Sequence, residues 1–185
     1  NRIERTGIPP QGYTYPRISP DGSRIVIASR SGERDLWLWD LKQRALTRLT
    51  FERGADSYPV WLPDGRSIIY GASGQAGDEN LAMRAADGTG SLQVLLPSDR
   101  HHTPYSMTPD GQWLVFRDEV PGHGTDLAFL QIGAKDAKPL IATSNPRRAP
   151  PSTFKRYAMT DGRRKNRASL PPSNSAHLAR MCCAV

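Results

Sequence analysis

Ser73, in the stretch Gly71-Ala72-Ser73-Gly74-Gln75, is the residue of this chain that comes nearest to a catalytic nucleophile. A hydrolase elbow of the form G-x-S-x-G sets its serine on a sharp strand-to-helix turn, and its second glycine permits that turn. Gln75 stands in that glycine's place, so Ser73 reads as an ordinary serine at a strand end. The histidines make no metal site. His101 and His102 are adjacent and on an extended strand point to opposite faces, His123 sits in a glycine-rich loop, and His177 stands apart. No H-E-x-x-H, H-x-H or His-Cys spacing occurs. Asp78-Glu79 lacks the ligand alternation of a calcium loop. Asp87-Gly88-Thr89-Gly90-Ser91 has glycines enough to cradle a phosphate, but without the strand, lysine and helix of a phosphate loop it reads as a hairpin turn. No catalytic, cofactor-binding or metal-ligating residue is assigned, and no cofactor is expected.

The remaining acidic residues with a pattern are Asp21, Asp64 and Asp110, and their pattern is architectural. Each lies between a proline and a glycine: Pro20-Asp21-Gly22, Pro63-Asp64-Gly65 and Pro109-Asp110-Gly111, with the prolines 43 and 46 residues apart. Proline presets φ at the first central position of a turn, aspartate caps the turn through its side chain, and glycine accepts positive φ. The same corner is therefore written three times.

The segments after the corners repeat as well. The runs 24–29 (RIVIAS), 67–73 (SIIYGAS) and 112–118 (QWLVFRD) are rich in β-branched and aromatic residues and read as strands buried on both faces. After a glycine-bearing polar loop come second strands at 35–41, 80–88 and 126–133, then third strands at 45–50, 92–96 and 139–143. The segments before the corners, Tyr13–Ile18, Tyr58–Trp61 and Pro104–Met107, supply a fourth. Four short antiparallel strands in each unit of this length is the period of a β-propeller blade. The expected fold is all-β: a partial β-propeller of about three four-stranded antiparallel blades with an irregular basic C-terminal tail. Residues 1–12 read as the end of a preceding blade or a linker, so that the chain starts mid-propeller. Blades follow at about 13–56, 57–102 and 103–145, and the tail spans 146–185. The four tryptophans, Trp37, Trp39, Trp61 and Trp113, fall inside the repeats and read as packing between blades.

Charge divides the chain at the same place. Residues 1–145 hold 16 Lys and Arg against 17 Asp and Glu, whereas 146–185 hold 9 against 1. The body therefore offers no cationic surface for nucleic acid, and the basic pI belongs to the tail. Both cysteines, Cys182 and Cys183, also lie there, which excludes a disulfide framework in the body. No apolar run approaches the ~18 residues of a membrane span. A fourth corner is due near 153, but the sequence there turns rich in Arg, Pro and Ser, with only an echo at Thr160-Asp161-Gly162. Three readings stay open: a disordered basic tail that binds nucleic acid or anionic lipid, a degenerate blade, or out-of-frame translation.

The stretches SYPVWLPDGRSIIYGAS, DLWLWDL and TRLT resemble the PD40 (WD40-like) repeats of the TolB-type propeller family, whose blades carry P-x-W-S-P-D-G, I-V-F-x-S, L-Y-x-x-D and R-L-T. The third copy departs, with Ser106-Met107-Thr108 where the family has an aromatic residue and serine. The resemblance covers about residues 1–145 and is nearest in flavour to the C-terminal propeller of bacterial membrane serine/threonine kinases. It implies a non-catalytic, extracytoplasmic or periplasmic platform for protein interaction or ligand sensing. Any kinase activity would lie upstream of this chain. The enzymatic alternative is the substrate-gating propeller of a prolyl-oligopeptidase-type serine peptidase, and a further alternative is nucleic-acid binding through the basic tail. A protein or small-molecule ligand is expected at the loops (30–35, 73–79, 97–103 and 118–126) or the central channel. About three blades fall short of a closed ring, so edge pairing or self-association is also expected. Specific nucleic-acid recognition by the body and membrane insertion are not.

Overall fold

The computed structural model describes residues 7–32, 34–74, 79–121 and 124–141. They form three four-stranded antiparallel sheets, each in sequential order. Sheet 1 holds β1 (Tyr13–Ile18), β2 (Arg24–Ser29), β3 (Leu36–Asp40) and β4 (Ala45–Arg48). Sheet 2 holds β5 (Asp56–Trp61), β6 (Ser67–Ser73), β7 (Glu79–Ala85) and β8 (Gln93–Leu96). Sheet 3 holds β9 (His102–Met107), β10 (Trp113–Val120), β11 (Gly124–Gln131) and β12 (Ala137–Ile141). The first strands cluster, with β5 beside both β1 and β9. The blades are thus stacked about their innermost strands, and no helix occurs among the described residues. The tail beginning at 146 lies outside them.

Each corner closes in the same way. The amides of Gly22, Gly65 and Gly111 donate to the carbonyls of Ser19, Leu62 and Thr108 at 2.9, 3.0 and 2.9 Å. The three glycines have φ of 73°, 65° and 70°, a region that side chains rarely enter. Asp21, Asp64 and Asp110 each accept the amide two residues on, from Ser23, Arg66 and Gln112, at 3.1, 2.8 and 3.0 Å. The departure in the third copy preserves this chemistry: Thr108 Oγ1 accepts the amide of Trp113 at 3.0 Å as Ser19 Oγ accepts that of Arg24 at 2.9 Å. Successive corners also meet. A methyl group added at Gly65 would lie 3.7 Å from Pro20 Cδ, and one at Gly111 would lie 3.4 Å from Pro63 Cδ.

Alternation along the second strands builds two inter-sheet cores. Val26, Ala28, Leu36 and Leu49 of the first unit pack on Trp61, Ile68, Tyr70 and Ala82. Ile69, Leu81 and Leu96 pack on Leu114, Phe116, Ala128 and Leu130. β6 feeds both cores because its successive side chains point to opposite faces. Of the tryptophans, Trp61 lies between two described sheets, and its Nε1 donates to the Arg17 carbonyl at 3.0 Å. Trp37 and Trp39 gather with Ile25 and Ile27 on the other face of sheet 1. Trp113 packs edge-on against Phe129, 5.2 Å between centroids, and neither ring joins the core between sheets 2 and 3.

The strand boundaries differ from those expected where polar residues are buried. β5 begins at Asp56 and β9 at His102, paired with Ala72 and Asp118, so both residues belong to the sheet that follows them. Each first strand also carries a bulge, at Tyr15-Pro16, Tyr58-Pro59 and Tyr105, that periodicity did not reveal.

Candidate functional site

The loops between strands converge on one rim. Gly32 and Arg34 of the β2–β3 loop, Arg48 at the end of β4, Phe51–Ala55 of the β4–β5 link and Ser73 border an open cleft of about 560 Å³ at the boundary of sheets 1 and 2. Asp99, Arg100 and His101 of the β8–β9 link, with Glu119, Val120, Pro121, Gly124 and Thr125 around the β10–β11 hairpin, border a second cleft of about 370 Å³. Gly32, Arg34 and Ser73 and the lining of the second cleft fall in the loops expected from the sequence (30–35, 73–79, 97–103 and 118–126), whereas the β4–β5 link does not.

Beneath the first cleft lies a layer of buried charge. Asp35, 1% exposed, pairs with Arg48 at 2.7 Å, and its Oδ1 also accepts from Thr50 Oγ1 at 3.4 Å. Thr50 Oγ1 in turn accepts the Leu36 amide at 3.0 Å. Arg84 donates to the Leu49 carbonyl at 3.2 Å and pairs with Glu52. Asp56, 4% exposed, sits against this group. Burial pushes its carboxyl up to about 7, and the neighbouring charges of Asp35 and Glu52 push the same way, against the Thr50 hydroxyl and Arg84. The Tyr70 hydroxyl is raised as well, chiefly by burial and then by Asp56.

Sheet 3 carries a different set at the corresponding place. His102 is fully buried, with Nε2 3.3 Å from Asp118 Oδ1 and its ring edge-on to Phe116 at 5.1 Å. Arg100 Nη1 donates to Asp118 Oδ2 at 2.7 Å. Tyr13, Asp56 and His102 each stand seven residues before their corner proline, so one repeat position holds three chemistries. In the sequence Asp56 closes the expected first blade and His102 falls in the expected 97–103 loop.

The remaining candidates fall apart geometrically. Ser73 lines the first cleft, and no hydrogen bond from its hydroxyl to a histidine or carboxylate occurs among the described residues. His101, just before β9, is exposed, while His102, its first residue, is buried. His123, His177 and Asp78 lie outside the described residues. Asp87 accepts the Thr89 amide at 2.9 Å and its hydroxyl at 2.6 Å, which hold its carboxyl below the usual range in a tight turn. Pro20, Asp21 and Gly22, Pro63, Asp64 and Gly65, and Pro109, Asp110 and Gly111 lie at three successive corners and do not come together as one site. Among the described residues no group of three His, Cys, Asp or Glu is placed to hold a metal.

Sequentially ordered four-stranded antiparallel sheets packed about their first strands define the β-propeller class. Residues 8–174 match the family model described as TolB beta propeller domain (PD40), and the chain belongs to that family. The matched span runs past Asn145 into the basic segment. A curated relative, the Tol-Pal system protein TolB of Helicobacter pylori strain J99, is 26% identical over 122 residues, which cover 65% of this chain and 29% of that protein. The structure of a putative TolB from Agrobacterium tumefaciens superposes with a TM-score of 0.64 at 22% identity, covering 73% of this chain and 51% of that one. A prolyl endopeptidase structure superposes with a TM-score of 0.58 at 18% identity, covering 71% and 22%. Both superpositions speak to fold alone. The chain thus spans under a third of the length of its curated relative and about half of the Agrobacterium chain.

Proposed function

We propose that this chain is part of a non-catalytic propeller that binds a protein or small-molecule ligand through its loop rim, on the extracytoplasmic side of a bacterial cell. The observation that carries this reading is the convergence of the inter-strand loops on two open clefts at successive blade boundaries. A rigid sheet array with variable loops is a binding scaffold, and the relative named in the Tol-Pal system favours a protein partner. Arg34 and Arg53, both exposed on the first cleft, present cationic groups to an acidic segment of such a partner. The finer proposal is that the parent is a receptor-like serine/threonine kinase and this chain belongs to its sensor region. In vivo proximity labelling with the chain and with an Arg34→Glu, Arg53→Glu variant tests the rim. Partners captured by the first and lost by the second are expected, and an identical set from both refutes the assignment.

The likeness to a prolyl endopeptidase favours a second reading, a propeller that gates a peptidase domain. It requires a G-x-S-x-G domain elsewhere in the parent and predicts that this chain alone cleaves no peptide.

Association through uncovered faces belongs to the same proposal. Ile18 holds the place that Trp61 and Met107 hold in the next two repeats, where they pack in inter-sheet cores, yet Ile18 is 65% exposed. Light scattering of the purified chain is expected to show self-association that Ile18→Lys weakens. A monodisperse, cooperatively melting monomer would contradict it.

A further inference from the structure

The three first-strand bulges each place a tyrosine at the innermost layer of the sheets: Tyr15, Tyr58 and Tyr105. Tyr15 and Tyr58 are held at φ of 53°, left-handed backbone that a bulky residue adopts only under constraint from its surroundings. The bulges turn their rings onto each other. The centroids lie 4.2 Å apart at a 35° tilt, and the Tyr15 and Tyr58 hydroxyls share a hydrogen bond of 3.1 Å across the blade boundary. That bond is the main cause lifting the Tyr58 phenol to about 12, followed by burial. Tyr15 and Tyr105 remain 38% and 44% exposed.

A carboxylate is brought to the same place at a structural cost. Glu79, at the start of β7, reaches across β6 so that its Oε1 accepts from Ser57 Oγ at 2.6 Å, and Ser57 is the neighbour of Tyr58. The crossing runs directly over Gly71, where a Cβ would overlap the carboxylate. The negative charge of Glu79 acts on the Tyr58 hydroxyl, as does the positive charge of Arg117. Arg117 is itself paired with Glu119 at 2.6 Å. Glu79, Arg117 and Glu119 together leave one net negative charge beside two electron-rich rings.

From this geometry we infer a cation-binding site, formed by Tyr15, Tyr58 and Glu79, for an alkylammonium or guanidinium group such as the end of a lysine or arginine side chain. Aromatic faces attract a cation through the ring quadrupole, and a nearby carboxylate adds direct Coulomb attraction. An anionic group would meet Glu79, so the charge balance selects against it. This site lies on the innermost strands, and its existence does not depend on the loop rim being the primary binding face.

The test uses the full chain with ¹³C-labelled tyrosine rings, titrated with acetyl-Gly-Lys-Gly-amide, with the same peptide carrying norleucine, and with n-butylammonium. Saturable shifts of the Tyr15 and Tyr58 ring signals with the lysine peptide, and none with norleucine, are expected. Glu79→Gln, which keeps an acceptor for Ser57, is expected to weaken binding by about fivefold. Tyr15→Phe keeps the ring and changes affinity by about twofold or less, whereas Tyr15→Leu abolishes the response. Butylammonium binding as tightly as the peptide identifies a free-amine site, and tighter peptide binding identifies a peptide site; both support the inference. Equal shifts from lysine and norleucine peptides, or an affinity untouched by Glu79→Gln with the Tyr70 signals unmoved, would overturn it.

Discussion

The two blade boundaries share one backbone plan and differ in what they bury. Between sheets 2 and 3, Leu114, Phe116, Ala128 and Leu130 meet Ile69, Leu81 and Leu96, and sheet 3 adds the polar set His102–Asp118–Arg100. Between sheets 1 and 2 the apolar core is comparable, but Asp35, Asp56 and Arg84 are all buried under the cleft, with Glu52 half out. Apolar packing and repeated corners are enough to hold blades together. A charge in the interior is costly unless neutralised: Asp35 is paired with Arg48, whereas burial raises the Asp56 carboxyl.

The largest expected effect breaks the equivalence of the two cores. Tyr70 and Phe116 occupy the same repeat position, seven residues after the corner proline, and both are fully buried. Phe116→Ala is expected to cost about 4 kcal/mol, the usual penalty for emptying an aromatic site in an apolar core. Tyr70→Ala should cost less, because water entering that space would solvate Asp56 and relieve its desolvation. Urea unfolding followed by tryptophan fluorescence measures both. Equal losses would mean that the polar layer does not distinguish the boundaries.

The next effect turns on pH. Asp56 has a folded-state carboxyl pushed up to about 7, above its unfolded value near 4. A raised pKa means the folded state holds its proton longer, so the unfolded chain gains more from ionisation as pH rises. This contribution is intact below about pH 4, declines as pH climbs through 7, and is flat above that. Asp56→Asn is therefore expected to match the parent near pH 4 and to exceed it by up to about 4 kcal/mol at pH 8. The informative quantity is the difference between variant and parent, because the lowered Asp21 and Asp87 carboxyls favour the folded state in the opposite pH direction. A difference that does not vary with pH would show that Asp56 is already ionised and compensated.

The contrast also explains what the sequence could and could not disclose. The corners were legible because proline, aspartate and glycine each answer a local backbone demand, independent of anything distant. The strands after them were legible because burial on both faces demands continuous apolar residues, as in Ile68-Ile69-Tyr70. Asp56 and His102 were not, because their burial is decided by Arg84, Asp35 and Asp118, which are remote along the chain. The tyrosine bulges escaped notice for a related reason. Tyr-Pro recurs before two corners but is inverted to Pro-Tyr before the third, and only pairing with the second strands shows that all three contain one extra residue. The loops at 30–35, 73–79, 97–103 and 118–126 could be named as loops, but the β4–β5 link was not among them, and which loops would share a cleft depended on sheet packing.

The smallest effect sharpens the comparison at the corners themselves, where the repeats look most alike. Asp110 accepts both the Gln112 amide at 3.0 Å and the Thr108 hydroxyl, whereas Asp64 caps the Arg66 amide at 2.8 Å with Leu62 standing where a hydroxyl would be. A hydrogen bond to a carboxylate near the surface contributes on the order of 1 kcal/mol, so the caps should separate by that amount or less. Asp110→Ala is expected to cost about 1 kcal/mol and Asp64→Ala about half as much. Local opening seen by amide exchange at Gly111 and Gly65 is the sensitive measurement, since both amides close their corners. If Gly65 exchanges no faster in Asp64→Ala while Gly111 does in Asp110→Ala, the second corner is held chiefly by its proline and by Arg24, whose Nη2 donates to the Gly65 carbonyl at 2.7 Å. In that outcome identical sequence marks would be sustained by different physical supports, the polar boundary relying on a cross-blade arginine where the apolar one relies on its own threonine.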